Sequence, residues 1–443
     1  MISIVAKIFR RFFKCRKINK SSRDRQVRAE NRDNYYVRKL IPEVKVVEEE
    51  KLKIIKDFWK PYEFAYKNNP MTQVAFYNQS GNFDPSYVGF GQQVHSLVRF
   101  WNNETFSTFR NKNYSRLLFP FLKHVKCYVS CSYGNYFDED YNVLSRDRAI
   151  DKICEVLNQE KELILKPTLD SGSGSSIVFL TENENRASII SKISKLEPHF
   201  VCQEILKNHE SFKTGCNALN TIRVCTLNYN NKINYVGALF RMSTGKRVDN
   251  WDAGGIVCAV NKDGTLGEFA ISGNGTRYNE HPTGFKFRGH KLYRGSEILD
   301  TAIKCHQHIP QQKYISWDFT VDEQGEIVFI EMNSPGGSEV AQCLGINSYI
   351  NKDIAKEIFD EYIYLYKANF DWDYRENAHY VLLMKYQGVK NVVKVPDEIE
   401  GKPVKMVLMG AFDDTNVKKI ILPENVQMNT SKLTEKKIII ERK

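Results

Sequence analysis

The stretch from Ile315 to Gly337, ISWDFTVDEQGEIVFIEMNSPGG, limits what this chain can fold into more than any other. It reads as two antiparallel strands. Asp322-Glu323-Gln324-Gly325 supplies the turn, and Ile327 to Met332 has the β-branched and aromatic content of a strand. A period of two sets Glu331 and Asn333 on one face and Ile330 and Met332 on the other, with Asp318 on the first strand. Two carboxylates and an amide oxygen gathered at one end of a hairpin suit Mg²⁺, a hard cation that takes oxygen ligands. An edge hairpin whose acids simply face solvent is the competing reading.

A second stretch, Glu162 to Leu180, reads as strand, loop, strand. The first strand ends in Lys166-Pro167, the loop is Ser171-Gly172-Ser173-Gly174-Ser175-Ser176, and the next strand begins at Ile177. Small residues let backbone N–H groups approach phosphate oxygens, and a lysine beside the loop can neutralise their charge. The pattern is not a P-loop, because no Gly-Lys-Ser/Thr closes it and a strand follows. Arg223 lies in the β-prone run Thr221 to Leu227. Alternation sets it beside Thr221 and Cys225, with Ile222, Val224 and Thr226 on the opposite face. A guanidinium held on a sheet face suits bidentate contact with an oxyanion. Arg241 and Arg247 flank Ser243-Thr244-Gly245, where they could meet an acidic acceptor or only solvent.

Further segments fall in a recognisable order: Asn111 to Pro120, Phe200 to Leu206, Leu219 to Val224, Asn250 to Ile256 and His281 to Gly284. Together with the two stretches above, they resemble the sugar-transfer-associated branch of the ATP-grasp enzymes from about Asn111 to Gln342. The resemblance departs at Asn111, where that family commonly has Asp before the lysine. It implies an α+β ATP-grasp fold, two lobes clasping ATP. Adenine would lie against Gln203, Glu204, Ile205 and Leu206, and the phosphates under Ser171, Gly172, Ser173, Gly174 and Ser175. Lys166 and Lys112 would neutralise the triphosphate, Arg223 would contact the reacting groups, and Asp318, Glu331 and Asn333 would hold Mg²⁺. The implied chemistry is carboxylate–amine ligation through an acyl phosphate, on a sugar, uronic-acid or amino-acid type substrate in capsule or surface-polysaccharide synthesis. A sugar kinase and a non-catalytic nucleotide-binding adaptor remain as alternatives.

The remaining sequence organises the chain around this centre. At 443 residues and 42% hydrophobic content, two or three cores are affordable. Ten cysteines without CxxC pairs argue for reduced thiols and a cytoplasmic location. Cys305-His306-Gln307-His308 is a local metal-like cluster at the end of a helical pattern that starts near Ser296, with zinc as its minor reading. Most of the formal net charge of +11 sits at the N-terminus, where Lys7, Arg10, Arg11, Lys14, Arg16, Lys17, Lys20, Arg23, Arg25 and Arg28 oppose only Asp24.

Within Met1 to Lys14, Ile2, Val5, Phe9 and Phe12 share a helical face. The tail is therefore expected to lie on an anionic membrane rather than to bind nucleic acid, and its apolar run is too short to span one. Residues 1–40 are thus expected as a basic amphipathic or disordered tail and 41–110 as a helical subdomain, with helices over Glu43 to Phe64 and Ser96 to Phe109. Residues 111–370 are expected as the catalytic domain, ending in a helix Asp353 to Lys367, and 371–443 as a small β domain. The units beginning at Val395 and Leu422 resemble bacterial surface-protein leucine-rich repeats, spaced at a repeat-like interval. So short a solenoid must hide its open end, which suggests homo-oligomerisation through this domain.

Overall fold

The computed structural model describes residues 22–40, 48–60, 68–90, 102, 109, 111–169, 177–229, 232–245, 247, 251, 254–333, 339–346, 371–386, 388, 390–399, 401–413, 415–431, 433 and 437–443. The proposed helix in Met1 to Lys14, nearly all of Ser96 to Phe109, the loop residues Ser171 to Ser176 and the helix Asp353 to Lys367 lie outside this set.

Residues 22–90 begin with α1 (Ser22–Leu40), α2 (Glu49–Trp59) and α3 (Pro70–Ser80). The expectation of a tail reaching residue 40 is therefore corrected. Ala29, Asp33, Tyr36 and Leu40 are buried at four-three-four spacing along one face of α1, which a helix packed on a core requires.

The smaller lobe holds β1 (Lys123–His124), β2 (Cys127–Ser132), β3 (Asn135–Asp138), β4 (Val143–Leu144), β5 (Glu162–Pro167), β6 (Val178–Thr181) and β7 (Phe200–Gln203) in sequence, although β1 joins the other lobe. Its sheet has the order β4-β3-β2-β7-β5-β6. Two helices, Arg146–Glu160 and Arg186–Leu196, cover it with Ile150, Ile153, Leu157, Ile189 and Ile193. Each starts on a side chain that accepts a backbone N–H, Ser145 in the first and Asn185 in the second.

The larger lobe adds β8 (Thr221–Tyr229), β9 (Lys232–Met242), β10 (Ile256–Val260), β11 (Leu266–Ser272), β12 (Arg277–Tyr278), β13 (Tyr314–Val321) and β14 (Ile327–Asn333). Among the described residues the sheet order is β1-β14-β13-β8-β9-β10-β11-β12, antiparallel except for β1 against β14. One face packs on the helix Gly295–His308, where Ile298, Leu299 and Ala302 meet Ile222, Val224, Phe240 and Trp317. The opposite face is divided. Over β9 to β11, Leu239, Val257 and Ile271 are covered by Tyr36, Leu40, Phe76 and Phe90 from the N-terminal helices. Over β14, β13 and β8 the same face carries charge.

The hairpin turn forms as its chemistry dictates. Gly325 takes a φ of 79°, and the Asp322 carboxylate accepts from the Gln324 and Glu326 N–H groups. Lys123 reaches Asp322 at 2.7 Å from β1, which fastens the hairpin to the neighbouring strand.

Residues from Trp372 to Leu433 build a separate apolar core. Strands Val392–Lys394, Lys419–Leu422 and Ile439–Arg442 pair in parallel, as do Val381–Tyr386, Lys402–Val407 and Gln427–Met428. Parallel ladders built from successive short strands are the geometry of a solenoid turn stacked on its neighbour.

His306 is a core residue rather than a zinc ligand. Its Nε2–H donates to the Gln312 carbonyl at 2.6 Å, and Nδ1 accepts from the Thr226 hydroxyl at 2.7 Å. Burial lowers its pKa from 6.5 to about 4. The unfolded chain therefore binds the proton more readily between these values, so stability is present above pH 6.5 and falls as pH drops toward 4. Chemical denaturation across this window is expected to show that slope, and His306→Gln is expected to reduce it. Part should persist, because burial also lowers His124 and His281. An unchanged slope in the variant would refute the assignment.

Candidate functional site

The charged half of the large sheet is built by cross-strand register. Asp318 on β13 lies opposite Glu331 on β14 and opposite Arg223 on β8, and Arg241 on β9 lies opposite Thr221. These are long-range neighbours on one face, within side-chain reach of one another. Arg223 grips Asp318 with two parallel bonds, Nε to Oδ1 at 2.8 Å and Nη2 to Oδ2 at 2.6 Å. Arg241 adds Nη1 to Oδ2 at 3.1 Å. The Asn333 amide nitrogen bridges the two acids, 3.2 Å from Asp318 Oδ2 and 3.1 Å from Glu331 Oε1.

Lys112 completes the group from outside the sheet. It lies in a 3₁₀ turn, Lys112–Tyr114, capped by the Asn111 side chain. Its Nζ is 3.2 Å from Glu331 Oε2 and donates to the Pro167 carbonyl at 3.4 Å, so it joins the end of β5 to β14. Asn113 beside it bonds the Cys131 carbonyl and Thr168.

Asp318 is 1% exposed, whereas Glu331 retains 26%. Asp318 is therefore not the solvent-facing acid of the competing reading, because both of its oxygens are engaged by guanidinium groups. Burial alone would raise the Glu331 carboxyl. The Lys112 ammonium, the Asn333 amide and the charges of Arg223 and Arg241 outweigh it and hold Glu331 well below the usual carboxylate range. Burial likewise works against the Arg223 cation, but Asp318 and Glu331 more than compensate and raise its pKa.

The donor set for a divalent cation consists only of oxygens: two carboxylates and, after an amide flip, Asn333 Oδ1. That chemistry fits Mg²⁺. Glu331 is the most accessible donor, and Asp318 could offer an oxygen only by sharing one already bonded to arginine. Among the described residues, no group of three or more His, Cys, Asp or Glu side chains forms an alternative metal site.

The structure thus gathers Lys112, Arg223, Asp318, Glu331 and Asn333. Lys166 is half-buried at the end of β5, paired with Val201. Gln203 ends β7, and Glu204, Ile205 and Leu206 follow it, half-buried. Glu204 closes this corner: its N–H donates to the Lys126 carbonyl at 3.1 Å, and its Oε1 accepts from the Lys126 N–H at 2.8 Å. Ser171, Gly172, Ser173, Gly174 and Ser175 lie outside the described residues.

Two contributions were not drawn from the sequence. Arg241 is a second partner of Asp318. Arg247 reaches the other lobe, with its guanidinium 3.8 Å from the Phe179 ring centroid and its Nη2 3.3 Å from Glu162. This arginine makes a lobe-to-lobe contact while its side chain stays 45% exposed. His281 also acquires a place. Its Nε2–H donates to the Ser243 carbonyl at 2.9 Å and its Nδ1 accepts from the Thr283 N–H, which pins the turn between Arg241 and Arg247.

The sequence profile of sugar-transfer-associated ATP-grasp proteins matches residues 103–353. No curated protein sequence matches the chain. Similar solved structures include D-alanyl-alanine synthetase A from Vibrio cholerae, at 11% identity and TM-score 0.35 over 58% of this chain and 65% of that one. Another is the VanG D-Ala:D-Ser ligase of Enterococcus faecalis, at 14% identity and TM-score 0.34 over 58% and 61%. A third is biotin carboxylase from Campylobacter jejuni, at 14% identity and TM-score 0.38 over 58% and 47%. The chain spans less than two thirds of the length of each.

Proposed function

The chain belongs to the sugar-transfer-associated ATP-grasp family, whose profile spans residues 103–353, and on that premise we propose that it is an ATP- and Mg²⁺-dependent carboxylate–amine ligase. The observation that carries this reading is the cluster of Lys112, Arg223, Arg241, Asp318, Glu331 and Asn333, in which cations and oxygen donors meet where two lobes approach. None of these six side chains is a Ser, Cys or His nucleophile. Its chemistry is suited to positioning and neutralising anions.

In the proposed reaction an acceptor carboxylate oxygen attacks the γ-phosphorus of ATP, and the bond to the β-phosphate oxygen breaks to release ADP. An amine then attacks the acyl carbon, expels inorganic phosphate and loses a proton to give the amide. Mg²⁺, held by Glu331, Asn333 and one oxygen of Asp318, would neutralise phosphate charge. Arg223 spends two of its five N–H groups on Asp318, and the remainder are suited to an oxyanion. Asp318 fixes the orientation of both arginines. Lys112 and Lys166 are assigned to the phosphates, as are Ser171, Gly172, Ser173, Gly174 and Ser175, and Gln203 to Leu206 to adenine. The family description supports an acceptor from sugar chemistry, and a uronic acid or amino sugar of a capsule or surface polysaccharide would supply the carboxylate or the amine.

Trapping distinguishes ligase from kinase. An acyl phosphate is electrophilic, whereas a sugar phosphomonoester does not react with mild amines. Incubation with Mg-ATP, an acidic-sugar extract and hydroxylamine is expected to give ADP and a hydroxamate in matching amounts. ADP accompanied by a stable sugar phosphate and no hydroxamate would replace the ligase by a sugar kinase. Nucleotide binding with no turnover on any extract would leave an adaptor.

A further inference from the structure

The helix Ser22–Leu40 has an inner and an outer face of opposite character. Inside, Tyr36 stacks on Phe90 at 4.0 Å and on Trp251 at 6.0 Å between centroids, and Leu40 is buried in the same cluster. Outside, Arg28, Asn31, Asn34, Tyr35 and Arg38 are exposed. Asn31, Asn34, Tyr35, Arg38 and Lys39 line an open hollow of about 320 Å³. Tyr35 is 53% exposed, with the Lys39 ammonium 4.4 Å from its ring centroid. Among the described residues, no carboxylate pairs with Arg28, Arg38 or Lys39. The sequence before this helix adds cations and no acid through Ser21, together with Phe9, Phe12 and Phe13.

We propose that the outer face of this helix is a docking surface for an anionic membrane. Arginine and lysine heads attract phosphate and carboxylate headgroups, and an exposed tyrosine beside them is the side chain that settles at a lipid–water interface. Charge complementarity selects this partner. A neutral protein surface would gain nothing from cations that no carboxylate among the described residues neutralises. No helix among the described residues is long and apolar enough to cross a bilayer, so the contact is peripheral. The inner face rests on Val257 and Ile271, on the same sheet face as Arg241, so the helix and a membrane on its outer face lie on the same side of the sheet as the charged cluster. The surface stands independently of the reaction carried out at that cluster.

The test uses the full chain and sedimentation with phosphatidylcholine vesicles, with and without phosphatidylglycerol. Wild type is expected to bind only the anionic vesicles, and more weakly as salt is added. Arg28→Glu/Arg38→Glu/Lys39→Glu is expected to weaken binding about a hundredfold or more, since each basic residue contributes about a fivefold factor. Lys394→Glu/Lys405→Glu/Lys418→Glu, the same charge change on exposed lysines of the C-terminal domain, is expected to keep binding within about twofold. The milder Arg38→Gln/Lys39→Gln should show a smaller loss in the same direction with an unchanged melting curve. Equal losses in both triple variants would reduce the effect to net charge and overturn the surface. So would full binding by the first variant, no vesicle binding by wild type, or preferential binding of RNA over anionic vesicles through the same residues.

Discussion

Glu331→Gln is expected to lower Mg-ATP turnover by about 10²-fold or more, because it removes the most accessible anionic oxygen of the cluster while keeping its shape. The fold should survive. Glutamine can still accept from Asn333, and Lys112, at 20% exposure, can turn to water. The same variant has a stability signature. Lys112, Asn333 and the two arginines outweigh burial and hold the Glu331 carboxyl well below its ordinary 4.5. A carboxyl lowered in the folded state stabilises the protein fully above its unfolded value, and that contribution is lost as pH falls through the folded one. Wild type should therefore lose stability below pH 4.5 along a limb that Glu331→Gln flattens. Normal ADP production by the variant would remove Glu331 from the chemistry. An unchanged acid limb would mean that its ion pairs are not formed in solution.

What could be read in advance was local. The hairpin was legible because a Gly-containing turn and strict alternation both act over a few residues, so Glu331 and Asn333 were set on one face before any fold was known. The face occupied by Arg223 followed from the same rule. Its partner did not. Residues 223, 241 and 318 meet because β8, β9 and β13 are neighbours in register, and nothing near any of them specifies that pairing. An acid that alternation exposes on a sheet face is therefore indistinguishable, in sequence, from one buried under two arginines.

The helix Ser22–Leu40 escaped notice for a different reason. Its density of charge reads as a solvated tail, and buried Asp33 interrupts the apolar stripe that Ala29, Tyr36 and Leu40 would otherwise show. The partners of Arg247, Glu162 and Phe179, could not be read from its own neighbourhood, because they belong to the other lobe.

Asp318→Asn is expected to be the most destabilising substitution in the site, at a cost of about 3–5 kcal/mol. The reason is its burial. At 1% exposure, the carboxylate faces guanidinium groups that are only 20% and 11% exposed, so an amide would leave two cations facing a dipole in a place where water cannot replace the lost charge. An amide also brings an N–H into a ring of donors, where Arg223 Nε, Arg223 Nη2, Arg241 Nη1 and Asn333 Nδ2 all converge. A residue acting only as an accessible metal ligand would behave in the opposite way: its amide would leave stability unchanged or raise it, because repulsion with Glu331 would be relieved. Denaturant titration without nucleotide or metal separates the two roles. A larger loss for Asp318→Asn than for Glu331→Gln, which gives up only the pairing of a more exposed carboxylate, identifies Asp318 as the anchor of both arginines. Adding Arg241→Gln should then return part of the loss, since one of the two stranded charges is gone. If Asp318→Asn is as stable as wild type in metal-free buffer, the anchoring role is wrong and Asp318 is free to serve as a ligand first.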